Sequence, residues 1–246
     1  MMRNFWKGFN RLASPKAFYH FAGRILPWVW VIAILFLAYG LINGLVFAPA
    51  DYQQGDAYRI IYIHVPTAIL SLLIFVAIAI WSAMFLIWRV KIADILVKAS
   101  ATVGVWMTFC ALVVGSLWGK PMWGTYWIWD ARLTSELILL FLYLGIILLR
   151  QAIPNQDKAA KASAIVSIVG VVNVPIIHNS VNWWNTLHQK DTLHFFSHST
   201  IAPSMLHPLI AAMIGFLFFS IAVGLMNVRA EILYRENQTA WVKGIM

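Results

Sequence analysis

The 246-residue chain is 61% apolar and only 11% charged, with a mean hydropathy of +0.77. A soluble globular domain has about 25% charged residues, so this composition excludes an ordinary soluble domain and indicates a membrane protein. The formal net charge of +9 arises from short cation clusters between apolar runs, which argues against a nucleic-acid-binding face. The single cysteine, Cys110, excludes a disulfide framework and a CxxC redox pair.

Six apolar runs approach or exceed the length that a helix needs to cross a bilayer, which is about 20 residues. They predict an all-α, polytopic membrane protein that forms one integral membrane domain over residues 1–246, with no signal peptide in the first 24 residues. The second run is long and is expected to tilt, kink or project beyond the bilayer. The predicted spans lie near 25–46, 60–88, 99–118, 134–149, 162–178 and 204–227.

The positions of the cations predict how these spans are oriented. Fourteen of the 18 Lys and Arg residues fall in the two ends of the chain and in alternate connections, and four fall in or beside the remaining connections. Positively charged connections stay in the cytoplasm, so the N- and C-termini are both predicted to be cytoplasmic. The connections near 47–58, 118–134 and 179–203 are then predicted to face outward.

The second span carries a histidine close to its predicted outer boundary. His64 is followed by Pro66, which lacks a backbone donor and can kink the helix. A single histidine in a membrane protein is more often a hydrogen-bonded bundle residue than a metal ligand. His64 alone therefore does not indicate a binding site.

The connection between the third and fourth spans is rich in tryptophan. Residues 118–129 contain four of the 13 tryptophans in the chain, interrupted by two glycines and a proline. An interfacial aromatic belt is one explanation, but a belt explains this crowding in one loop poorly. Indole faces provide stacking area at little conformational cost, which favours a platform for a planar aromatic ligand. The predicted platform consists of Trp118, Trp123, Trp127 and Trp129.

Charged residues flank the start of the fourth span. Asp130 and Arg132 are expected at the interface, because a charge at the bilayer centre costs about 2.5–3.5 kcal/mol. One interpretation is that they form an exposed ion pair at the rim, worth about 0–1 kcal/mol. The other is that they take part in ligand binding and that Asp130 orients the loop. In the second case Arg132, or Arg59 across the bundle, binds ligand carboxylates. Thr134 or Ser135 is the expected helix cap.

A second histidine, His178, ends the fifth span. It follows Pro175 and, in the predicted topology, lies at the depth of His64 and of the tryptophan-rich connection. Neutral imidazole is a common ligand of haem iron, so this pair beside an aromatic platform predicts His64 and His178 as axial iron ligands. The remaining outer histidines are interpreted as solvated loop residues (His188, His194 and His198) and as a spare candidate ligand (His207).

Residues 118–136 resemble the tryptophan-rich WWD signature of haem-handling membrane proteins in cytochrome c biogenesis. Within that group the chain is similar to the haem exporter protein C (CcmC) family. The likeness extends to FAPADYQQG at 47–55, YIHVP at 62–66 and HNSVNWWNTLHQ at 178–189, and it covers most of the chain. Tyr126 stands where relatives have tryptophan, and tyrosine can also stack. Larger WWD relatives that attach haem to apocytochrome have more spans, so the length argues against them.

This resemblance implies a role in cytochrome c maturation at the bacterial inner membrane. Haem b would be held at the periplasmic face by the histidines and tryptophans and delivered to the periplasmic haem chaperone, CcmE. The partners implied are the ATP-binding-cassette subunits CcmA and CcmB, the small membrane protein CcmD and the lipid bilayer, with no nucleic acid. The implied role is delivery rather than catalysis, and promotion of covalent haem attachment to CcmE is left open.

Two other functions remain as alternatives. A b-type cytochrome or quinone-reactive electron-transfer subunit also uses bis-histidine haem, but it usually has histidine pairs at two depths. His20 is the only histidine in the predicted inner connections and ends. A secondary transporter for a small aromatic solute would need polar residues and broken helices at the midplane, where Asn173 is the main polar side chain.

Overall fold

The computed structural model describes residues 14–188 and 201–245. Over these ranges the chain is helical, with short connections and no β-strand. Six helical stretches are long and apolar enough to cross a membrane, which confirms the predicted six-span, all-α architecture. They are Pro15–Phe47, Asp56–Trp88, Lys91–Trp123, Ala131–Ala152, Gln156–Trp183 and Pro203–Arg235.

Most spans consist of one α-helix, and the fifth is divided into two. It breaks at residues 171–172, and Pro175 in the first turn after the break has no N–H to donate to the preceding turn. A π-helical turn at Asn43–Phe47 ends the first span, and a 3-10 turn at Asp56–Ile60 begins the second. The helices are α1 (Pro15–Ile42), α2 (Ile61–Trp88), α3 (Lys91–Trp123), α4 (Ala131–Ala152), α5 (Gln156–Gly170), α6 (Asn173–Trp183), α7 (Pro203–Arg235) and α8 (Ala240–Lys243).

Helix α3 extends further than the sequence analysis predicts. The predicted third span ends at 118, whereas α3 continues to Trp123 and ends where Gly124 has a φ of 76°. Pro121 does not stop the helix, because it lies in the last turn, which Gly124 N closes by donating to Lys120 O at 3.1 Å. The predicted loop over 118–134 is therefore helical at both ends, and residues 124–130 form the connection.

The centre of the bundle is formed where α2, α3 and α4 pack. Tyr143 of α4 lies directly against Gly104 of α3, where an added Cβ would come within 2.0 Å of the phenol ring. The Tyr143 hydroxyl donates to Ser71 O at 2.6 Å, so the one polar atom of this buried side chain is satisfied. This hydrogen bond holds α2 against α4.

Small residues allow α1 and α7 to approach closely. An added Cβ at Gly40 would lie 2.5 Å from Ala212 N, and one at Gly215 would lie 2.6 Å from Leu37 N. Close backbone approach at small residues is a common way to pack helices in membranes, where dispersion contacts provide much of the association energy. Gly40 and Gly215 therefore hold the first span against the last.

Replacing Gly215 with alanine is expected to destabilise the protein by about 1–3 kcal/mol, because the added methyl group meets the α1 backbone. Gly224 is the matched control, since it lies in the same helix and no described heavy atom lies within 4 Å of its Cβ position. Thermal unfolding in detergent should show a midpoint about 2–4 °C lower per kcal/mol for Gly215→Ala. Equal midpoints for Gly215→Ala and Gly224→Ala would contradict the proposed close contact.

Buried ion pairs join three spans at one end of the bundle. Asp94 of α3 accepts from Arg150 of α4 and from Arg235 of α7, with both N···O distances at 2.6 Å. Arg235 also pairs with Glu231 at 2.6 Å. The Asp94 side chain is 6% exposed, so its charge depends on these two arginines. These contacts tie α3, α4 and α7 at the end that the cation distribution assigns to the cytoplasm.

Candidate functional site

A cavity of about 610 Å³ lies near the opposite end of the bundle from the buried ion pairs. Asp94 and Trp118 mark the two ends, since they lie 24 residues apart on α3, or about 36 Å at the rise of an α-helix. The cavity volume is within the range of small-molecule sites, about 300–1,000 Å³. Its polar lining consists chiefly of Gln53, Gln54, His64, Arg132, Glu136, His178 and His188.

His64 projects from α2 into the cavity and is oriented by α3. Its Nδ1 lies 3.1 Å from Ala111 O. Because a carbonyl oxygen only accepts, Nδ1 carries the proton, and Nε2 of the neutral imidazole is left to bind a metal. Gly115 provides room for the ring, since an added Cβ there would lie 2.8 Å from Cε1 of His64. The local structure therefore arranges His64 as a ligand through Nε2.

Two tryptophans near the end of α3 also line the cavity. Trp118 is buried, packs edge-on against the His64 ring with centroids 5.6 Å apart, and donates from Nε1 to Gln54 Oε1 at 2.9 Å. Trp123 lies over Gly119, where an added Cβ would come within 2.9 Å of the indole. The lack of a side chain at Gly119 therefore allows the Trp123 indole to lie close to the α3 backbone.

The other two tryptophans of the predicted platform lie outside the cavity lining. Trp127 and Trp129 follow the left-handed turn at Gly124 and pack edge to face on each other, with ring centroids 5.4 Å apart. Trp129 is 75% exposed. Trp127 is half-buried, with its Nε1 buried and without a hydrogen-bond partner among the described residues. The structure therefore divides the four tryptophans into a pair that lines the cavity and a pair that packs together outside its lining.

Asp130 holds the start of α4. Its Oδ1 accepts a hydrogen bond from Leu133 N at 2.8 Å, so Asp130 is the N-cap. The expectation that Thr134 or Ser135 caps this helix is wrong, because α4 begins three residues earlier than predicted. Among the described ion pairs none joins Asp130 to Arg132, so the rim-pair alternative is not observed.

The two predicted carboxylate-binding arginines have different surroundings. Arg132 lines the cavity, and its Nη1 is buried without a hydrogen-bond partner in the part of the chain that is described. Arg59 does not line the cavity; it pairs with Asp56 at 2.9 Å and donates to Leu45 O at 2.9 Å. Only Arg132 therefore has a guanidinium that an anionic ligand in the cavity would satisfy.

Two further histidines lie in the cavity wall. His178 of α6 lines the cavity, as expected for a ligand, but no ring contact joins it to His64 among the described residues. His188 also lines the cavity, with its ring centroid 6.3 Å from that of His64 and 6.2 Å from that of Trp123. His188 is half-buried, so its interpretation as a solvated loop residue is wrong.

The remaining outer histidines do not contribute to this cavity. His207 is exposed in a separate apolar groove between α1 and α7, beside Tyr39, so it is not a spare ligand for the cavity. His194 and His198 lie outside the described residues. His188 is thus the residue that sequence reasoning missed, and its only sequence signal is its place in the WWNTLHQ stretch after α6.

The lining suits a planar ligand that carries its own metal and carboxylates. Two imidazoles bound to one metal at about 2 Å would have ring centres about 6 Å apart, which matches His64 and His188. No group of three or more His, Cys, Asp or Glu among the described residues could hold a bare metal ion. The indoles of Trp118 and Trp123 provide stacking surface, and Arg132 provides a cation for a carboxylate.

Comparison with known proteins agrees with the resemblance noted in the sequence. Residues 8–243 match the family model described as "Heme exporter protein C", CcmC. The chain is 48% identical over 241 residues to heme exporter protein C of Escherichia coli strain K12, covering 98% of this chain and 97% of that protein. It is 45% identical over 240 residues to the Haemophilus influenzae protein of the same name, covering 98% of each.

A more distant relative comes from a liverwort. The chain is 41% identical over 215 residues to a Marchantia polymorpha protein described as a "cytochrome c biosynthesis ccmC-like mitochondrial protein". The match covers 87% of this chain and 90% of that protein. The family model covers nearly the whole sequence, and the bacterial relatives align from end to end. The chain therefore belongs to the heme exporter protein C family.

Proposed function

We propose that this protein binds haem in the cavity beside His64 during cytochrome c maturation and delivers it to the periplasmic haem chaperone, CcmE. Membership of the heme exporter protein C family supports haem handling in cytochrome c maturation. The observation that carries the assignment of the cavity is the pair of facing imidazoles, His64 and His188, beside two indoles.

The residues around the cavity define how haem would be held. His64 would bind the iron through Nε2 on one side of the ring, and a second histidine would bind on the other side. The sequence analysis favours His178 as this second ligand, whereas the 6.3 Å ring separation favours His188. Trp118 and Trp123 would cover the porphyrin, and Arg132 would bind a propionate. Haem is bound non-covalently here, as haem b.

The predicted topology gives the site a periplasmic location in the bacterial inner membrane. The described parts of all three connections predicted to face outward lie at the cavity end, and the buried Asp94 ion pairs lie at the other. Both termini would then be cytoplasmic, and the whole chain would form one membrane domain. CcmA, CcmB and CcmD are the proposed membrane partners, because a delivery protein in this system needs a way to release the loaded chaperone.

A b-type cytochrome function has less support from the structure. Such a protein would usually need a second histidine pair at the other end of the bundle. At that end, His20 is the one histidine among the described residues. Its ring packs against Tyr19 and Trp241 at centroid distances of 5.5 and 6.1 Å. Among the described residues, that end of the bundle therefore has no second histidine pair.

The proposal is tested by the haem content of the purified protein and two tryptophan variants. Wild-type protein from haem-sufficient cells should retain haem and co-purify with CcmE. Trp118→Ala should weaken haem binding by about tenfold or more, because it removes stacking area beside His64. Trp129→Ala is the control, since that side chain is 75% exposed outside the cavity. A wild-type protein without haem would refute the function, and a loss for Trp129→Ala equal to or larger than that for Trp118→Ala would contradict the assignment of haem to the cavity.

A further inference from the structure

The cavity extends well below the level of the imidazoles. Along α2 its lining continues from His64 to Val76, which is 12 residues or about 18 Å. The lower part of this wall is apolar and is formed by Ile69, Leu72, Leu73 and Val76. A site for iron ligands alone would not need this depth, so the lower cavity has a role beyond coordination.

The lower cavity lies in a gap between α2 and the fifth span. The two elements touch at Gly170, where an added Cβ would lie 3.0 Å from Cζ of Phe75. Between this contact and the end of the bundle that holds the site, the fifth span breaks at 171–172 and continues as α6. Leu73 of α2 and Val174 of α6 both line this part of the cavity. The lower cavity is therefore bordered by α2 and α6.

Leu73 shows that this gap reaches the outer surface of the bundle. Its side chain is 55% exposed, and Ile80, seven residues later on the same face of α2, is also 55% exposed. Ile80 does not line the cavity, so this face of α2 is the face turned away from the bundle. In a membrane that surface contacts lipid, because both residues lie within a membrane-spanning helix.

The loop end of the cavity is bordered by an ordered segment. Asp51 Oδ1 accepts hydrogen bonds from Gln53 N and Gln54 N, both at 2.9 Å. Gln54 Oε1 in turn accepts from Trp118 Nε1 at 2.9 Å, which fastens this segment to α3. Access from the loop side therefore meets hydrogen-bonded polar groups, whereas the α2 side chains that line the lower cavity, Ile69, Leu72, Leu73 and Val76, are apolar.

We propose that haem reaches the site sideways from the bilayer, edge first, through the gap between α2 and α6. This inference rests on the proposed function. Haem is planar, its vinyl and methyl edge is apolar, and it dissolves in lipid, so the apolar gap fits it in shape and polarity. The ring would pass Leu73 and then Ile69, and it would reach His64 before any protein side chain binds its iron.

The test is the rate of haem uptake by full-length protein in liposomes whose bilayer already contains haem. Leu73→Trp and Ile69→Trp place a large side chain in the gap, and Ile80→Trp is the control on the same face of α2 outside the cavity. Uptake is followed as growth of the bis-imidazole haem spectrum. The two gap variants should slow uptake by about tenfold or more, and Ile80→Trp should match wild type. Leu73→Ala, which widens the gap, should take up haem at least as fast as wild type.

Equal uptake rates for Leu73→Trp, Ile69→Trp and Ile80→Trp would overturn the sideways route, as would slower uptake by Leu73→Ala. Failure of the proposed function would look different, because wild-type protein itself would then acquire no bis-imidazole spectrum. A Leu73→Trp protein that fails to fold is recognised by its thermal unfolding, and in that case Ile69→Trp and Leu73→Ala decide the outcome.

Discussion

Glycine in place of His64 is expected to abolish the bis-imidazole haem spectrum and to remove most of the bound haem. The imidazole is hydrogen-bonded through Nδ1 to the Ala111 carbonyl, which leaves Nε2 to bind the iron, and glycine has no side chain that could replace this ligand. Absorption spectra of the purified oxidised and reduced protein measure this directly. His207→Gly is the matched control, because His207 lies outside the cavity.

Absorption spectra of the other histidine variants decide which histidine is the second ligand. The facing ring of His188 predicts that His188→Gly loses the bis-imidazole spectrum, as His64→Gly does. His178→Gly is then expected to keep that spectrum, because the described ring contacts of His64 are with Trp118 and His188 and not with His178. The reverse pattern would restore the assignment made from sequence.

Added imidazole gives a readout that separates ligation from folding. A His64→Gly protein that folds leaves a space beside Gly115 into which free imidazole can diffuse and bind the iron. Recovery of the original Soret and α/β bands with imidazole is therefore expected. If His64→Gly and both second-ligand variants retain full haem and unchanged bands, ligation by these histidines would be excluded.

The helical architecture was predictable because it depends on local composition. Each apolar run is a property of neighbouring residues, and the bilayer requires every backbone polar group to be satisfied within its own helix. The ends of the runs were less predictable, because a helix can continue through polar and aromatic residues beyond the apolar core. Helix α3 does so from Trp118 to Trp123, which moved two tryptophans of the predicted loop onto a helix.

The site itself was predictable only in part. His64 and His178 could be assigned to one depth because each lies near the end of a span whose direction the cation distribution predicts. His188 could not, because it lies beyond the end of a span, and its position beside His64 and Trp123 depends on tertiary contacts. Trp127 and Trp129 were assigned to the platform from the crowding of tryptophans in one connection, and they follow the turn at Gly124 and lie outside the cavity lining.

Replacing Asp94 with asparagine is expected to cause the largest loss of stability among these variants, about 3–5 kcal/mol. The carboxylate is 6% exposed and neutralises Arg150, whose side chain is 7% exposed, and Arg235. Asparagine has a similar shape but no charge, so Arg150 would remain buried beside an uncharged amide, whereas Arg235 would keep its pair with Glu231. Thermal unfolding in detergent should show a midpoint lower by about 2–4 °C per kcal/mol.

Asp157→Asn is the matched control for Asp94→Asn. Asp157 lies at the same end of the bundle and pairs with Lys161 and Arg89, but its side chain is 58% exposed. Exposed ion pairs contribute about 0–1 kcal/mol, so this variant should unfold close to the wild-type temperature. A double variant, Asp94→Asn with Arg150→Gln, should lose less than the sum of the two single changes, because each single change already removes the Asp94–Arg150 ion pair. Additive losses, or equal midpoints for Asp94→Asn and Asp157→Asn, would show that the buried network does not hold α3, α4 and α7 together.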